Sequence, residues 1–267
     1  MTVLVRDFMK LIESHAPVSY KEDYDNVGLM VGSEEDVIQG ILFSMDTTNA
    51  VIGEAKRLGA NLIVSHHPML FVKPSTITDS HLQGRKIIEL IRSGINVYAA
   101  HTNLDSVKDG MNDTLVRMFE YIDFDILDQC SFDYDSGIGR MVYLRRAVKL
   151  SDFIKKTKTV LGIENLRYSG DLNQTVRRVA IINGSGQSYF KKAVAEGADC
   201  ILTGDTTYHH VQELEEQGIA VVDPGHFASE QQVFYNLMKR MVKEFIAGHG
   251  ELPVYFSEVE RDPFKFI

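Results

Sequence analysis

Val5, Phe8, Met9 and Ile12 recur at helical spacing, which predicts a first helix from about Val5 that ends before Pro17. Beyond it, short apolar runs and helical patterns alternate. Ile41 to Met45 reads as a strand, Ala50 to Leu58 as a helix closed by Gly59, and Asn61 to Ser65 as a second strand. Lys86 to Arg92 continues as a helix with Gly94 as its cap, Ile95 to Ala99 as a strand, and Met111 to Phe119 as a helix. This is a strand-helix-strand rhythm, and the second half of the chain repeats it.

The repeat can be followed residue by residue. Ile41-Leu42-Phe43-Ser44, then a helix and Gly59-Ala60-Asn61-Leu62-Ile63, resembles Ala180-Ile181-Ile182-Asn183, then a helix and Gly197-Ala198-Asp199-Cys200-Ile201. The interval from Ile41 to Gly59 is 18 residues and that from Ala180 to Gly197 is 17. Gly94-Ile95 leads to His101 and Asp105, as Gly218-Ile219 leads to His226 and Glu230, so each half carries a histidine followed four residues later by a carboxylate. Internal repetition of this kind decides architecture more firmly than any single propensity. The fold class expected is therefore α/β: two related units with mainly parallel sheets, the first over residues 1–125 and the second over 126–247. The stretch Asp123 to Gly139 reads as an irregular connection, and the C-terminal segment 248–267 as a return to the first unit, with Val254 to Val259 as an edge strand.

Composition narrows the function. At 267 residues, 44% hydrophobic and 24% charged, the chain has the make-up of a folded protein, which excludes disordered and fibrous classes. The net charge of −9 sets the surface against nucleic-acid phosphates and anionic lipid. The two cysteines, Cys130 and Cys200, are far apart and form no Cys-x-x-Cys pair, which suits a reducing compartment. Charge at Arg6 and Asp7 interrupts any leader core, and no apolar run approaches the roughly 20 residues of a membrane span. A cytoplasmic protein without membrane partners is expected.

Chemistry is concentrated where strands should end. His66-His67-Pro68 follows the apolar run Leu62-Ile63-Val64, and ligands of open α/β sheets gather outside the carboxyl ends of strands. Pro68 keeps a helix from starting there and helps a sharp turn aim two imidazoles at one cleft, although loop histidines also cap backbone groups. His101-Thr102-Asn103-Leu104-Asp105 follows the next strand, so Asp105 faces the same edge; turn chemistry accounts for Asn103 better than for Asp105. In Gly225-His226-Phe227-Ala228-Ser229-Glu230 the last residue opens a helix whose apolar stripe is Val233, Phe234, Leu237, Met241 and Phe245. Glu230 and His226 fall on that same stripe. A carboxylate turned to a core is costly unless it is paired or binds a cation, whereas a merely dipole-compensating Glu would sit as well on the solvent face.

His66, His67, Asp105, His226 and Glu230 are accordingly the candidate metal ligands. Nitrogen and oxygen donors without thiolate suit Zn, Fe or Mn, and five ligands exceed the three usual for one catalytic zinc. Two divalent metal ions sharing Glu230, in a cleft between the units and holding a bridging water, is the economical reading. His101 is the remaining imidazole on that edge and the candidate general acid or base. Gly184-Ser185-Gly186 is a weaker candidate, for a phosphate cradle or a plain turn. Asp205 reads as a helix N-cap and His210 as a core histidine, with His209 and His210 at most supporting the ligands.

Five motifs together resemble the Nif-three-like family, whose members are labelled GTP cyclohydrolase 1 type 2 homologues. They are Asp25-Asn26-Val27-Gly28-Leu29, Ser65-His66-His67-Pro68, His101-Thr102-Asn103-Leu104-Asp105, Thr203-Gly204-Asp205 and Gly225-His226 with Ser229-Glu230. The resemblance spans nearly the whole chain in order; Tyr24 stands where the family usually has Trp. It implies two α/β domains, a toroidal homohexamer and a dinuclear metal site, with His67 and Asp105 on one ion, His66 and His226 on the other, and Glu230 bridging. The function expected is a dinuclear metal-dependent hydrolase acting on a nucleotide or related heterocycle through metal-bound hydroxide. The alternative is a noncatalytic metal-binding or metal-delivery protein, or an interaction scaffold.

Overall fold

The computed structural model describes residues 2–249 and 252–267. Strands in chain order are β1 (Gly28–Val31), β2 (Ile41–Ser44), β3 (Leu62–Ser65), β4 (Asn96–Ala99), β5 (Phe124–Cys130), β6 (Asp133–Lys149), β7 (Arg167–Ser169), β8 (Thr175–Ser185), β9 (Cys200–Gly204), β10 (Ala220–Asp223) and β11 (Val254–Phe256). They form two sheets in a mixed α/β chain. The polypeptide divides into two compact units, one running to Leu104 and resuming over Phe234–Arg261, the other comprising Asp105–Val233 with Asp262–Ile267.

The first unit holds a five-stranded sheet in the order β1-β4-β3-β2-β11. Its three inner pairings towards β11 are parallel and only β1 runs antiparallel to its neighbour. The opening helix, Val5–His15, buries Val5, Phe8 and Ile12, which are three and four residues apart, and each such side chain contributes about 1.5–3 kcal/mol on leaving water. Asp7 accepts the Leu4 backbone N–H at its start, and the helix ends at His15, just ahead of Ala16 and Pro17. The helix Asn49–Leu58 is capped by the Thr48 hydroxyl, which accepts the Val51 N–H, and stops at Gly59 in the left-handed conformation. β2, β3 and β4 are buried along their whole length, as strands covered on both faces must be. β11 pairs in parallel with β2 from Val254 opposite Ile41 to Phe256 opposite Phe43.

The second unit holds a six-stranded sheet in the order β5-β6-β8-β9-β10-β7. Its centre, β8-β9-β10, is parallel and repeats the grammar of the first unit: Ala180 pairs with Ile201 where Leu42 pairs with Ile63. Gly197 takes the same left-handed conformation before β9 that Gly59 takes before β3. Antiparallel strands flank this centre on both sides. The stretch Asp123 to Gly139, expected to be irregular, is instead the β5–β6 hairpin, with Phe124 opposite Val142 and Gln129 opposite Gly137. Aspartates and glycines weaken its local strand signal, and the pairing of β6 with β5 on one side and β8 on the other supplies the ladder bonds that outweigh it. Arg140 on β6 is 1% exposed, and its Nε donates to Asp113 Oδ1 at 2.5 Å. The long helix His226–His249 begins in the second unit and continues in the first, and its predicted stripe of Val233, Phe234, Leu237, Met241 and Phe245 is buried. No helix among the described residues is long and apolar enough to cross a membrane.

Candidate metal centre

In the first unit the ends of β3 and β4 deliver three imidazoles. The parallel ladder continues one step past β3, with His66 N–H donating to Ser44 O and His67 N–H to Met45 O, so both histidines leave the sheet at its carboxyl edge. His101 follows β4, whose own extension is held by Ala100 N–H on Ser65 O. One ring nitrogen from each of His66, His67 and His101 lies within 4.8 Å of the other two. Their ring centroids are 5.2 Å apart for His66 with His67, 5.2 Å for His66 with His101 and 5.6 Å for His67 with His101.

Each Nδ1 in this set has an acceptor. His66, fully buried, donates to the Ala100 carbonyl at 2.9 Å; His67 donates to Asp46 at 3.1 Å; His101 donates to Asp25 at 2.9 Å. A carbonyl or carboxylate only accepts, so the proton sits on Nδ1 and the lone pair on Nε2. This is the pattern of imidazoles that ligate metals, where the partner of the far nitrogen fixes the tautomer and the ring orientation. Burial alone would raise the Asp25 carboxyl, but the bonds it accepts from His101 Nδ1 and from the Thr102 hydroxyl and N–H hold it well below the usual carboxylate range. Asn103, whose amide oxygen accepts the His101 N–H and whose nitrogen reaches Ala16 O, is the structural residue that turn chemistry predicts.

In the second unit the donors are mostly oxygen. Asp105 and Glu230 are held by one amide, Asn183 at the end of β8, whose Nδ2 donates to Asp105 Oδ1 at 3.2 Å and to Glu230 Oε1 at 3.1 Å. Glu230 is 3% exposed, and His226, one helical turn earlier, brings Nε2 to 2.9 Å from its Oε2. The other His226 nitrogen, Nδ1, meets Asp205 Oδ2 at 2.8 Å. A neutral imidazole can donate from only one nitrogen, so the carboxylate at the other end needs a proton or a metal ion between the two groups. The donor set therefore fits a divalent cation.

Asp205 was expected to cap a helix. It does not: the following helix, Tyr208–Glu216, starts from Thr207, and Asp205 adopts a positive φ of 55° that turns its side chain to His226. Gly204 beside it is required by close approach, since a Cβ there would lie 2.9 Å from Gly225 and His226 backbone. Gly184 is required for a second reason: its φ is +60°, and a Cβ would lie 2.1 Å from Glu230 Oε1. Gly184-Ser185-Gly186 is thus the seat of a carboxylate, which disfavours a phosphate. His210 is exposed rather than in the core, with Nδ1 on the Thr207 hydroxyl, and His209 is exposed too. Cys200 is buried, and burial with the nearby Asp199 charge pushes its thiol up and away from reactivity.

Two cations from distant segments also reach the carboxylates that support these ligands. Lys86, half-buried, is lowered by burial against the opposing pull of Asp46, which places an ammonium beside the carboxylate that holds His67. Arg167 Nη2 donates to Asp223 at 2.5 Å, and Asp223 also accepts the Gly225 N–H that precedes His226. Neither cation is near its partner in sequence.

The family model described as DUF34/NIF3, NGG1p interacting factor 3, matches residues 3–263. The chain belongs to this family. It is 49% identical over 263 residues to a protein of Clostridium perfringens named GTP cyclohydrolase 1 type 2 homolog, covering 98% of this chain and 99% of the relative. A Clostridium acetobutylicum protein of the same name is 43% identical with both chains fully covered. Among solved structures, Staphylococcus aureus hypothetical protein SA1388 superposes with a TM-score of 0.90 at 29% identity over the full length of both chains.

Proposed function

We propose that this protein is a metal-dependent hydrolase of the dinuclear type, acting on a nucleotide or related heterocycle. The observation that carries the reading is His226 set between two carboxylates, an arrangement that needs a proton or a metal ion between its Nε2 and Glu230. His67 and Asp105 would hold one ion, His66 and His226 the other, with Glu230 common to both; Zn, Fe and Mn all suit these donors. A bound pair supplies Lewis acidity and a lowered pKa for water at the site. The chain's own residues do the rest. Asn183 orients both carboxylates, Asp46 and Asp205 fix the ring planes of His67 and His226, and Asp25 keeps the His101 proton on Nδ1. His101 Nε2 is then the position at which a proton can be taken from water or returned to the leaving nitrogen. On a guanine nucleotide, the class that the relatives' name includes, addition of water at C8 opens the imidazole ring and a second hydrolysis releases formate. We also infer a homohexamer, which would sediment near six times the 30.1 kDa chain mass.

Two measurements test this. Elemental analysis should find Glu230→Gln depleted of metal while His209→Ala retains it; equal content removes Glu230 from the ligand set. Metal-loaded protein incubated with GTP should release formate in excess of phosphate, and His66→Ala should abolish it. Phosphate without formate sinks ring opening, and neither product with metal retained favours the noncatalytic metal-binding alternative.

A further inference from the structure

Beside the three imidazoles of the first unit stand two aromatic rings that folding leaves in water. Tyr24 is 66% exposed and Phe71 47%. Single exposed apolar residues need no explanation, but these two are in mutual contact, with centroids 6.3 Å apart and planes tilted by 57°. Phe71 in turn meets His101 at 6.5 Å and 82°, so its edge or face continues directly into the polar site. The two residues are 47 positions apart in the chain, and both rings stay largely exposed.

The segment that carries Tyr24 is held firmly for a loop. Glu22 N–H donates to the Thr102 hydroxyl at 3.0 Å, and Asp25 takes the Thr102 N–H, the Thr102 hydroxyl and His101 Nδ1. Lys21 Nζ closes the turn on the Asp25 carbonyl at 2.8 Å, and Asn26 Nδ2 donates to Leu70 O at 2.7 Å, tying the Tyr24 turn to the residue before Phe71. Asp25 thus anchors the ring-bearing turn and the imidazole with the same carboxylate. A pair of rings fixed at an angle and already ordered loses little entropy when it receives a flat partner.

We propose that Tyr24 and Phe71 form a platform that stacks a planar heteroaromatic ring, of the class of a purine base, and presents its polar edge to His101. This rests on the reading of the site as one that acts on a heterocycle, and deepens it by naming what recognises the ring. Stacking on an aromatic side chain needs only a π-face, and the neighbouring imidazole supplies the polar contact that apolar ligand sites use for orientation. Contact between copies of the chain is the competing occupant. Two aromatic rings offer about 300–500 Å² together, well below the roughly 800 Å² per partner of a stable interface.

The chain contains no tryptophan, so Tyr24→Trp creates a single fluorescent reporter at the platform. Guanosine should quench it, and ribose 5-phosphate, which lacks the ring, should not. By equilibrium dialysis, guanosine affinity should fall about fivefold or more in Tyr24→Ala and in Phe71→Ala, the usual scale for loss of a stacking ring, and be retained in Tyr24→Phe. Absence of quenching, or unchanged guanosine affinity in both alanine variants, overturns the platform. So does a changed sedimentation coefficient in those variants with guanosine binding intact, which would make the rings a contact between copies. Failure of the hydrolase reading is separable: ring-dependent guanosine binding with no formate from GTP leaves the platform standing, whereas formate release unaffected by both alanine substitutions removes it alone.

Discussion

The two units are built on the same strand-helix-strand plan, yet they present opposite chemistry at their strand ends. The first offers imidazole nitrogen from His66, His67 and His101, each with its far nitrogen on an acceptor. The second offers carboxylate oxygen from Asp105 and Glu230 with one imidazole, His226, that has a carboxylate at both nitrogens. Their interiors differ in the same sense. Among the described residues the first unit buries the acidic Asp25, Glu54 and Glu260 and no Lys or Arg, and Glu54 is satisfied by the Ser257 hydroxyl and the Glu258 N–H. The second buries the guanidinium of Arg140 against Asp113. The repeat fixes where donors emerge, because parallel strands deliver their carboxyl ends to one edge; what the donors are is decided by a few residues that the repeat does not share.

The contrast in buried charge gives the largest expected effect. Arg140→Met leaves Asp113 without its closest ion-pair partner and should cost about 3–5 kcal/mol of stability in urea unfolding, whereas Arg140→Met with Asp113→Leu should recover most of it. A loss below 1 kcal/mol for the single variant would put the two interiors on the same footing. Gly184→Ala comes next. It forces a non-glycine residue into a left-handed conformation and a methyl group onto Glu230, so it should cost about 1–3 kcal/mol and lower bound metal as well. Metal content equal to the parent protein would show that Glu230 tolerates displacement.

The carboxylates behind the histidines sharpen the comparison between donor sets. Asp205→Asn and Asp46→Asn each remove the anionic partner of an Nδ1, and each should weaken metal affinity about 10–100-fold in competition with a chelator. An unchanged affinity in both variants would deny the supporting role to either. The smallest effect is one of pH. Burial raises the Glu260 carboxyl above its ordinary 4.5, against bonds from the Tyr235 hydroxyl and the Met45 N–H that pull the other way. A raised folded value means that the proton stabilises the folded chain, so this contribution is present below about pH 4.5 and lost as pH rises through the folded value. Glu260→Gln should flatten that part of the urea-midpoint profile, and an identical slope in both proteins would refute the assignment.

Much of this was legible in the chain. The helix that ends before Pro17, the strands before His66 and His101, and the stripe that carries Glu230 onto the buried face all follow from periodicity and punctuation that act within a few residues. So does the spacing of His226 and Glu230, because a separation of four residues on a helix is a contact wherever the helix lies. The hairpin over Phe124 to Gly139 was hidden because its aspartates and glycines argue locally for a loop, and only pairing with a strand distant in sequence reverses that.

The roles of the supporting residues were hidden for the same reason. Asp25 is 76 positions from His101, Asn183 is 47 from Glu230, and Asp205 is 21 from His226, so no local pattern distinguishes them from turn residues. Gly184 reads as an ordinary turn glycine until a carboxylate from the helix beginning at His226 is placed against it. The sequence by itself determined which donors exist and that they leave strand ends, since secondary structure and its caps are short-range. Tertiary structure decided which nitrogen of each imidazole faces the site, which carboxylates stay charged and which rings remain in water, because those depend on partners that only folding brings within hydrogen-bonding distance.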